Sequence, residues 1–145
     1  MRASISFIPQ ILIKGLLPAI VLLSAAYGIF AQRTTPVGKG EWGGTGIAMT
    51  VTDTGATIQF DCAAGTITKQ MRIKRDGSFI AEGILTRNGP GPVRRDSQPI
   101  GRAVIYKGKV NRRSMSLTVT DAKTGEKLSD HTLTAGGAAN LHRCY

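Results

Sequence analysis

The sequence predicts an all-β protein: a single small antiparallel up-and-down β-barrel of about eight strands, preceded by an N-terminal signal segment. Three observations predict it. From residue 45 onward, short runs rich in β-branched residues alternate apolar and polar with period two, and no window of twelve residues carries a sustained helical stripe. Turn chemistry recurs at short spacing, in Asp53-Thr54-Gly55, Arg75-Asp76-Gly77, Lys123-Thr124-Gly125 and Gly136-Gly137. Hydrophobic residues make up 41% of the 145-residue chain, charged residues 19%, and there are 18 glycines, which is too apolar for a disordered chain and too glycine-rich for a helical bundle.

Arg2 and Lys14 precede an uncharged run over residues 15–31, after which the chain turns polar at Gln32-Arg33-Thr34-Thr35-Pro36. This is the charge and hydropathy pattern of a secretory signal, with small residues offering cleavage after Ala31 or Gly28. The alternative is a retained N-terminal membrane anchor, because 17 uncharged residues reach the lower limit for spanning a bilayer. No cysteine directly follows the run, which argues against a lipid anchor attached at the cleavage point. The organisation expected is therefore a signal over residues 1–31, a linker over 32–44 and a barrel over 45–145. The location expected is periplasmic or secreted, or, for a retained anchor, the inner membrane.

The strands expected are residues 45–52, 56–62, 66–74, 78–86, 102–109, 114–121, 128–135 and 139–144. In the first, Ile47, Met49 and Val51 alternate with Ala48, Thr50 and Thr52; in the sixth, Met115, Leu117 and Val119 alternate with Ser116, Thr118 and Thr120. If the strands run alternately up and down, the turns at Asp53, Asp76, Arg112 and Gly136 share one end of the barrel. The N-terminus, the loop after Cys62, the Pro-rich loop and the C-terminus then share the other. An eight-stranded barrel is wide enough to be packed solid or to hold one small ligand. A cavity of at least about 300 Å3 lined by Met49, Phe60, Ile73, Phe79, Ile105 and Leu117 would favour a ligand, and a filled interior would favour surface interaction.

Cys62 and Cys144 are the only cysteines, and an even count in an exported domain is read first as a disulfide. The bridge would close a loop of about 80 residues and contribute at best roughly 4 kcal/mol. Both cysteines end predicted strands at the same end of the barrel, so the bridge is expected at the rim near Trp42. A zinc site lacks ligands, since His131 and His142 show no paired spacing with either cysteine. No metal and no cofactor are expected.

The chain carries 19 lysines and arginines against 9 acids. Removing residues 1–31 leaves 17 against 9, a net of +8. Two places concentrate this charge. The Pro-stiffened loop over residues 87–101 presents Arg94 and Arg95, with Arg102 just beyond it, as candidates to hold a carboxylate or phosphate. At the opposite end, Lys74, Arg75, Lys109, Arg112 and Arg113 lie in turns that the strand order brings together, where they could hold an anionic envelope polymer or lipid head group. Nucleic acid is a poor candidate, because single-strand binding needs exposed stacking aromatics and only Tyr106 is placed beside the basic outer face.

Gly40-Glu41-Trp42 with Arg143 resembles the calycin pattern of lipocalins and avidins. That resemblance implies a barrel floor closed by Trp42 beneath Arg143, with room for a ligand above. More of the chain, roughly residues 41–145, is similar to a group of short exported bacterial β proteins. The likeness lies in Trp42-Gly43-Gly44, Phe60-Asp61-Cys62-Ala63 with Gly65-Thr66-Ile67, Gly91-Pro92-Val93-Arg94, and Met115-Ser116-Leu117-Thr118-Val119-Thr120. It carries no activity across.

Catalysis finds little footing. The acids fall mostly in turns, including Asp53, Asp76, Asp96, Asp121 and Glu126, rather than as a pair facing one cleft. His131 shares a face with Leu133, and no serine or cysteine is placed beside it. The function expected is a non-catalytic exported binding module for a small or anionic ligand; the alternative is a structural or interaction protein of the envelope acting through its basic surface.

Overall fold

The computed structural model describes residues 33–87 and 100–142, which belong to one compact unit, Gln32–Tyr145. The expected signal over residues 1–31, Arg94 and Arg95, Arg143 and Cys144 lie outside the described residues. Ten strands follow in order: β1 (Thr35–Pro36), β2 (Gly40–Gly44), β3 (Ile47–Val51), β4 (Ala56–Phe60), β5 (Ala63–Ile67), β6 (Arg72–Ile73), β7 (Ser78–Arg87), β8 (Gly101–Asn111), β9 (Ser114–Asp121) and β10 (Lys127–Ala135). Eight of them form a closed antiparallel barrel in chain order, β2-β3-β4-β5-β7-β8-β9-β10, with β10 returning to β2. No helix among the described residues is long and apolar enough to cross a membrane.

The number of barrel strands agrees with the sequence pattern, but two of the strands are different ones. Gly40–Gly44, read as linker, is a barrel strand. It pairs with β3 through Trp42↔Met49 and with β10 through Ala135↔Trp42. Gly46, at φ 71°, makes the tight reversal that separates it from β3, a conformation a side chain would strain. The expected last strand over 139–144 does not close the barrel. Gly136, at φ 65°, reverses the chain, but β2 already occupies the place beside β10. The tail therefore packs over the outer face of β2, where a Cβ on Gly43 would collide with Gly137 and Ala138. It runs the length of β2 through Gly136 N→Glu41 O (2.7 Å), Asn140 N→Gly44 O (3.1 Å) and Gly46 N→Asn140 O (2.8 Å).

The third predicted strand, over 66–74, is likewise divided. β5 ends at Ile67, and Arg72–Ile73 leaves the barrel to pair with β1 (Thr35↔Ile73, Pro36↔Arg72). This two-stranded flap covers one end of the barrel and buries Val37 and Met71, which join the core. We call this the capped end, and the opposite one the mouth.

The turns containing Asp53, Asp76, Arg112 and Gly136 all lie at the capped end, as alternation of strand direction requires. The chain also enters the barrel there, at Gly40, and not at the opposite end as expected, because the first strand begins one strand earlier than the pattern indicated. Trp42 consequently belongs to the capped end, whereas Cys62 follows β4 at the mouth.

The interior is packed with side chains. Trp42, Ile47, Met49, Ile58, Phe79, Val104, Tyr106, Met115, Leu117, Val119 and Leu133 are all buried. Tyr106, at 0% exposure the largest of the fully buried side chains, faces inward, against the expectation that it lies beside the basic outer face; the register pairs it with Val119, itself fully buried. Its ring fits only because its neighbours lack side chains: a Cβ on Gly83 would lie 2.8 Å from Tyr106 Cε2. Phe79 is accommodated the same way opposite Gly108, where a Cβ would lie 2.7 Å from its ring. Alternating bulky and absent side chains across neighbouring strands is how a small barrel reaches interior packing density. Burial pushes the Tyr106 hydroxyl up to about 12, and it donates to the Ile84 carbonyl at 3.3 Å.

Candidate functional site at the barrel mouth

The packed core stops short of the mouth, where a cleft of about 550 Å3 opens among β4, β5, β7, β8 and β10. Its apolar wall is Phe60, Ala63, Leu85 and Leu128; its polar groups are Asp61, Arg87, Arg102, Ser129 and His131. Of the six residues expected to line one cavity, only Phe60 lines this cleft. Met49, Phe79 and Leu117 are core, Ile105 alternates away from Tyr106 onto the outer side, and Ile73 sits in the flap at the other end.

Arg102 is placed by strand register. It opposes Leu85 on β7, on the inward-facing set of β8 that continues through Val104 and Tyr106. Its Nε donates to Asp121 Oδ2, and half of its side chain is exposed. Asp121 itself is buried, its side chain 4% exposed. It is the next inward residue after Met115, Leu117 and Val119, and its second oxygen caps the β9–β10 turn. That oxygen accepts from Lys123 N (2.8 Å), Thr124 N (2.7 Å) and Thr124 Oγ1 (3.1 Å). These bonds, the Thr124 amide first, hold the carboxyl down at about 2, so it is ionised wherever the protein is folded at ordinary pH. The guanidinium is thus held by a rigid acceptor on one side, with its remaining N–H groups left for a ligand.

Arg87 ends β7 with the same inward parity and lines the cleft across from Arg102. Among the described residues no carboxylate pairs with it. The loop between Arg87 and Ile100 holds Arg94 and Arg95, which lie outside the described residues, but its two attachment points are both on the cleft.

His131 lies inward on β10, opposite Leu117, with its ring 5.2 Å from that of Phe60. Burial lowers its pKa, opposed by a hydrogen bond to the Thr45 backbone and by Asp130 and Asp61. Nε2 is buried with no partner among the described residues. Asp61, beside it, accepts from His142 N at 2.6 Å and so ties the C-terminal tail to the rim next to Cys62. No cluster of three or more histidine, cysteine or acidic side chains arranged for a metal is found among the described residues.

Of the residues singled out from the sequence, Arg102 and Cys62 are brought to the mouth. Lys74, Arg75, Lys109, Arg112 and Arg113 are gathered at the capped end, all exposed. Trp42 is buried there, with Nε1 3.5 Å from the Gly38 carbonyl. It lines a hollow of about 730 Å3 with Ile73, Val110 and Ala135, edged by Lys39 and Arg112. Three mouth residues were not anticipated as site residues: Arg87, Asp121 and His131. The signal for Asp121 was present, since the β9 alternation continues onto it. The signal for Arg87 required knowing that β7 runs inward to its last residue.

Comparison of the chain with models of protein families, with curated proteins and with solved structures finds no match. The functional reading therefore rests on the geometry of the chain itself.

Proposed function

We propose that this protein is a non-catalytic binding module that takes a small anionic ligand with an apolar body at the barrel mouth. The observation that carries the reading is the cleft of about 550 Å3 with Arg102 fixed against buried Asp121. A cleft of this size suits a small molecule. A guanidinium already held by one carboxylate loses little freedom when it donates to a second. Phe60, Leu85 and Leu128 supply the apolar contact, and Arg87 a second cation. The ligand class is a carboxylate or phosphate on a hydrocarbon or aromatic stem.

Export and a disulfide belong to the same reading. The signal-like residues 1–31 would deliver the barrel to the periplasm or the medium, or hold it at the inner membrane. A Cys62–Cys144 bridge would then fasten the tail, since His142 already sits on Asp61, the residue before Cys62. The bridge belongs at the mouth rim, not near Trp42.

The test is calorimetric titration with octanoate, phenylacetate and phenyl phosphate, alongside native mass spectrometry of protein taken from its own source. Binding of at least one probe, weakened about 10- to 100-fold by Arg102→Gln with folding intact, is expected for a charge-assisted hydrogen bond. Absence of binding by all three probes and of any retained molecule would sink the reading.

A second reading is favoured by one observation, the gathering of five exposed cations at the capped end. It is an envelope protein that acts through this basic surface on an anionic partner.

A further inference from the structure

We infer that the capped end is a docking face for an anionic lipid bilayer, which leaves the mouth cleft pointing away from the membrane. The inference is independent of ligand binding at the mouth. It rests on the second reading for the existence of a working basic surface, and it names the partner.

Charge is the first observation. Among the described residues the capped end carries nine lysines and arginines (Arg33, Lys39, Lys69, Arg72, Lys74, Arg75, Lys109, Arg112, Arg113) against the carboxylates of Glu41, Asp53 and Asp76. Among the described residues the mouth carries Arg87, Arg102, Lys123 and Lys127 against Asp61, Asp121, Glu126 and Asp130; the sequence adds Arg94, Arg95 and Arg143 against Asp96 in segments outside the described residues. Among the described residues Arg102 and Lys127 at the mouth are paired with acids, while at the capped end Lys39 pairs with Asp53 and Lys69 reaches Glu82 at 3.8 Å, both pairs exposed, and the other cations form no ion pair. The larger positive excess therefore lies at the capped end, the end that a negative surface attracts more strongly.

Arrangement is the second. Apart from Arg33, the cations come from three separate connections, β1–β2, β5–β7 and β8–β9, and ring the end of the barrel instead of following a groove. A ring across a blunt end fits a plane. Within it lies the apolar hollow of Trp42, Ile73, Val110 and Ala135, edged by Lys39 and Arg112, which is the pairing of cations and apolar surface that a phospholipid headgroup region offers to meet. Arg112 holds its place at φ 55°, a left-handed conformation that costs a non-glycine residue energy and that glycine would adopt freely.

Connectivity is the third. The chain enters the barrel at this end, and Arg72 clamps it there through Nε→Thr34 Oγ1 (2.9 Å) and Nη2→Thr34 O (3.2 Å). In the sequence, the uncharged run over residues 15–31 precedes this point, separated from it by Gln32 and Arg33.

The test is amine-labelling of the full chain in vesicles of phosphatidylcholine alone and of phosphatidylcholine with phosphatidylglycerol. In the anionic vesicles, labelling of Lys74 and Lys109 is expected to fall about threefold or more, with Lys123 at the mouth unchanged and high salt restoring the labelling. Reversing Arg112 and Arg113 to glutamate is expected to abolish most of that protection. Trp42 emission without vesicles reports whether the variant is folded. Equal labelling in the two lipids, or protection of Lys123 instead, overturns the inference. Protection of Lys74 and Lys109 by soluble dextran sulfate but not by vesicles also overturns it, while leaving the basic-surface reading standing.

Discussion

The two ends of this barrel are built from the same eight strands and do opposite things. At the capped end, the β1–β6 flap and the Trp42, Val37 and Met71 side chains exclude water from the core, and the charges above them are unbalanced and mostly unpaired. At the mouth, the described residues leave a cleft over Phe60, Leu85 and Leu128, and the charges are tied to one another through Arg102–Asp121 and Lys127–Asp130. The lesson is a division of labour. Apolar burial closes one end and leaves its cations available for a surface. Charge pairing stiffens the other and leaves its apolar wall available for a ligand.

The strongest way to break this comparison is to remove the seal. Trp42→Ala is expected to cost about 3–5 kcal/mol in urea unfolding, as for other buried aromatic truncations. Leu128→Ala at the half-buried mouth is expected to cost about 1 kcal/mol, because the side chain leaves a cleft and not a cavity. Equal losses would show that both ends are sealed alike.

Next in size is the tail. Cys62→Ser is expected to lower stability by about 2–4 kcal/mol if the bridge to Cys144 forms, with a wild-type mass two hydrogens below the reduced value. An unchanged unfolding midpoint would leave His142 on Asp61 as the tail's fastening at the rim.

Acid sharpens the comparison further. His131 has a lowered pKa, so the unfolded chain takes up a proton before the folded one does, and stability falls as pH drops below 6.5, the ordinary imidazole value. Asp121 is also lowered, to about 2 from 3.8, so its contribution is complete above about pH 4 and is lost between those values. The lower step is shared with Asp76 and Asp130, whose carboxyls are also held down by hydrogen bonds. Urea midpoints measured against pH should show the upper step vanish in His131→Gln and the lower one shrink in Asp121→Asn; an unchanged step in either variant would place the titration elsewhere.

The smallest effect is at the basic face. Arg112→Gly is expected to raise stability by about 0.5–1 kcal/mol by relieving the left-handed backbone, while weakening vesicle protection of Lys74 and Lys109. Loss of stability instead would mean that the Arg112 side chain packs at the hollow in a way that outweighs its backbone.

Much of the barrel was legible in the chain. The period-two alternation of Met115, Leu117 and Val119, and of Ile47, Met49 and Val51, set which faces are buried, and the Asp-Gly and Gly-Gly turns set where the strands reverse. What the pattern misplaced were elements whose fate depends on distant partners. Gly40–Gly44 has too few side chains to alternate, and Arg72–Ile73 looks like the continuation of β5 until β1 is available to pair with it. At the site, Arg102 was legible from its place beside the long loop. His131 was weighed as a packed residue, which fits its ring on Phe60, while its unpartnered Nε2 depends on what β4 and β10 bring together.

By itself, then, the sequence determined an all-β chain, its burial pattern, its basic excess and which turns share an end, because alternation and turn chemistry act between near neighbours. Only the tertiary structure decided which strand closes the barrel, that the tail lies over Gly43 and Gly44, that the interior is solid, and that the cleft opens opposite Trp42. Those outcomes turn on which of several competing strands reaches a given edge first and on whether glycine gaps meet large rings. Both are contacts between residues far apart in the chain, such as Gly83 with Tyr106 and Gly43 with Gly137, which no local pattern records.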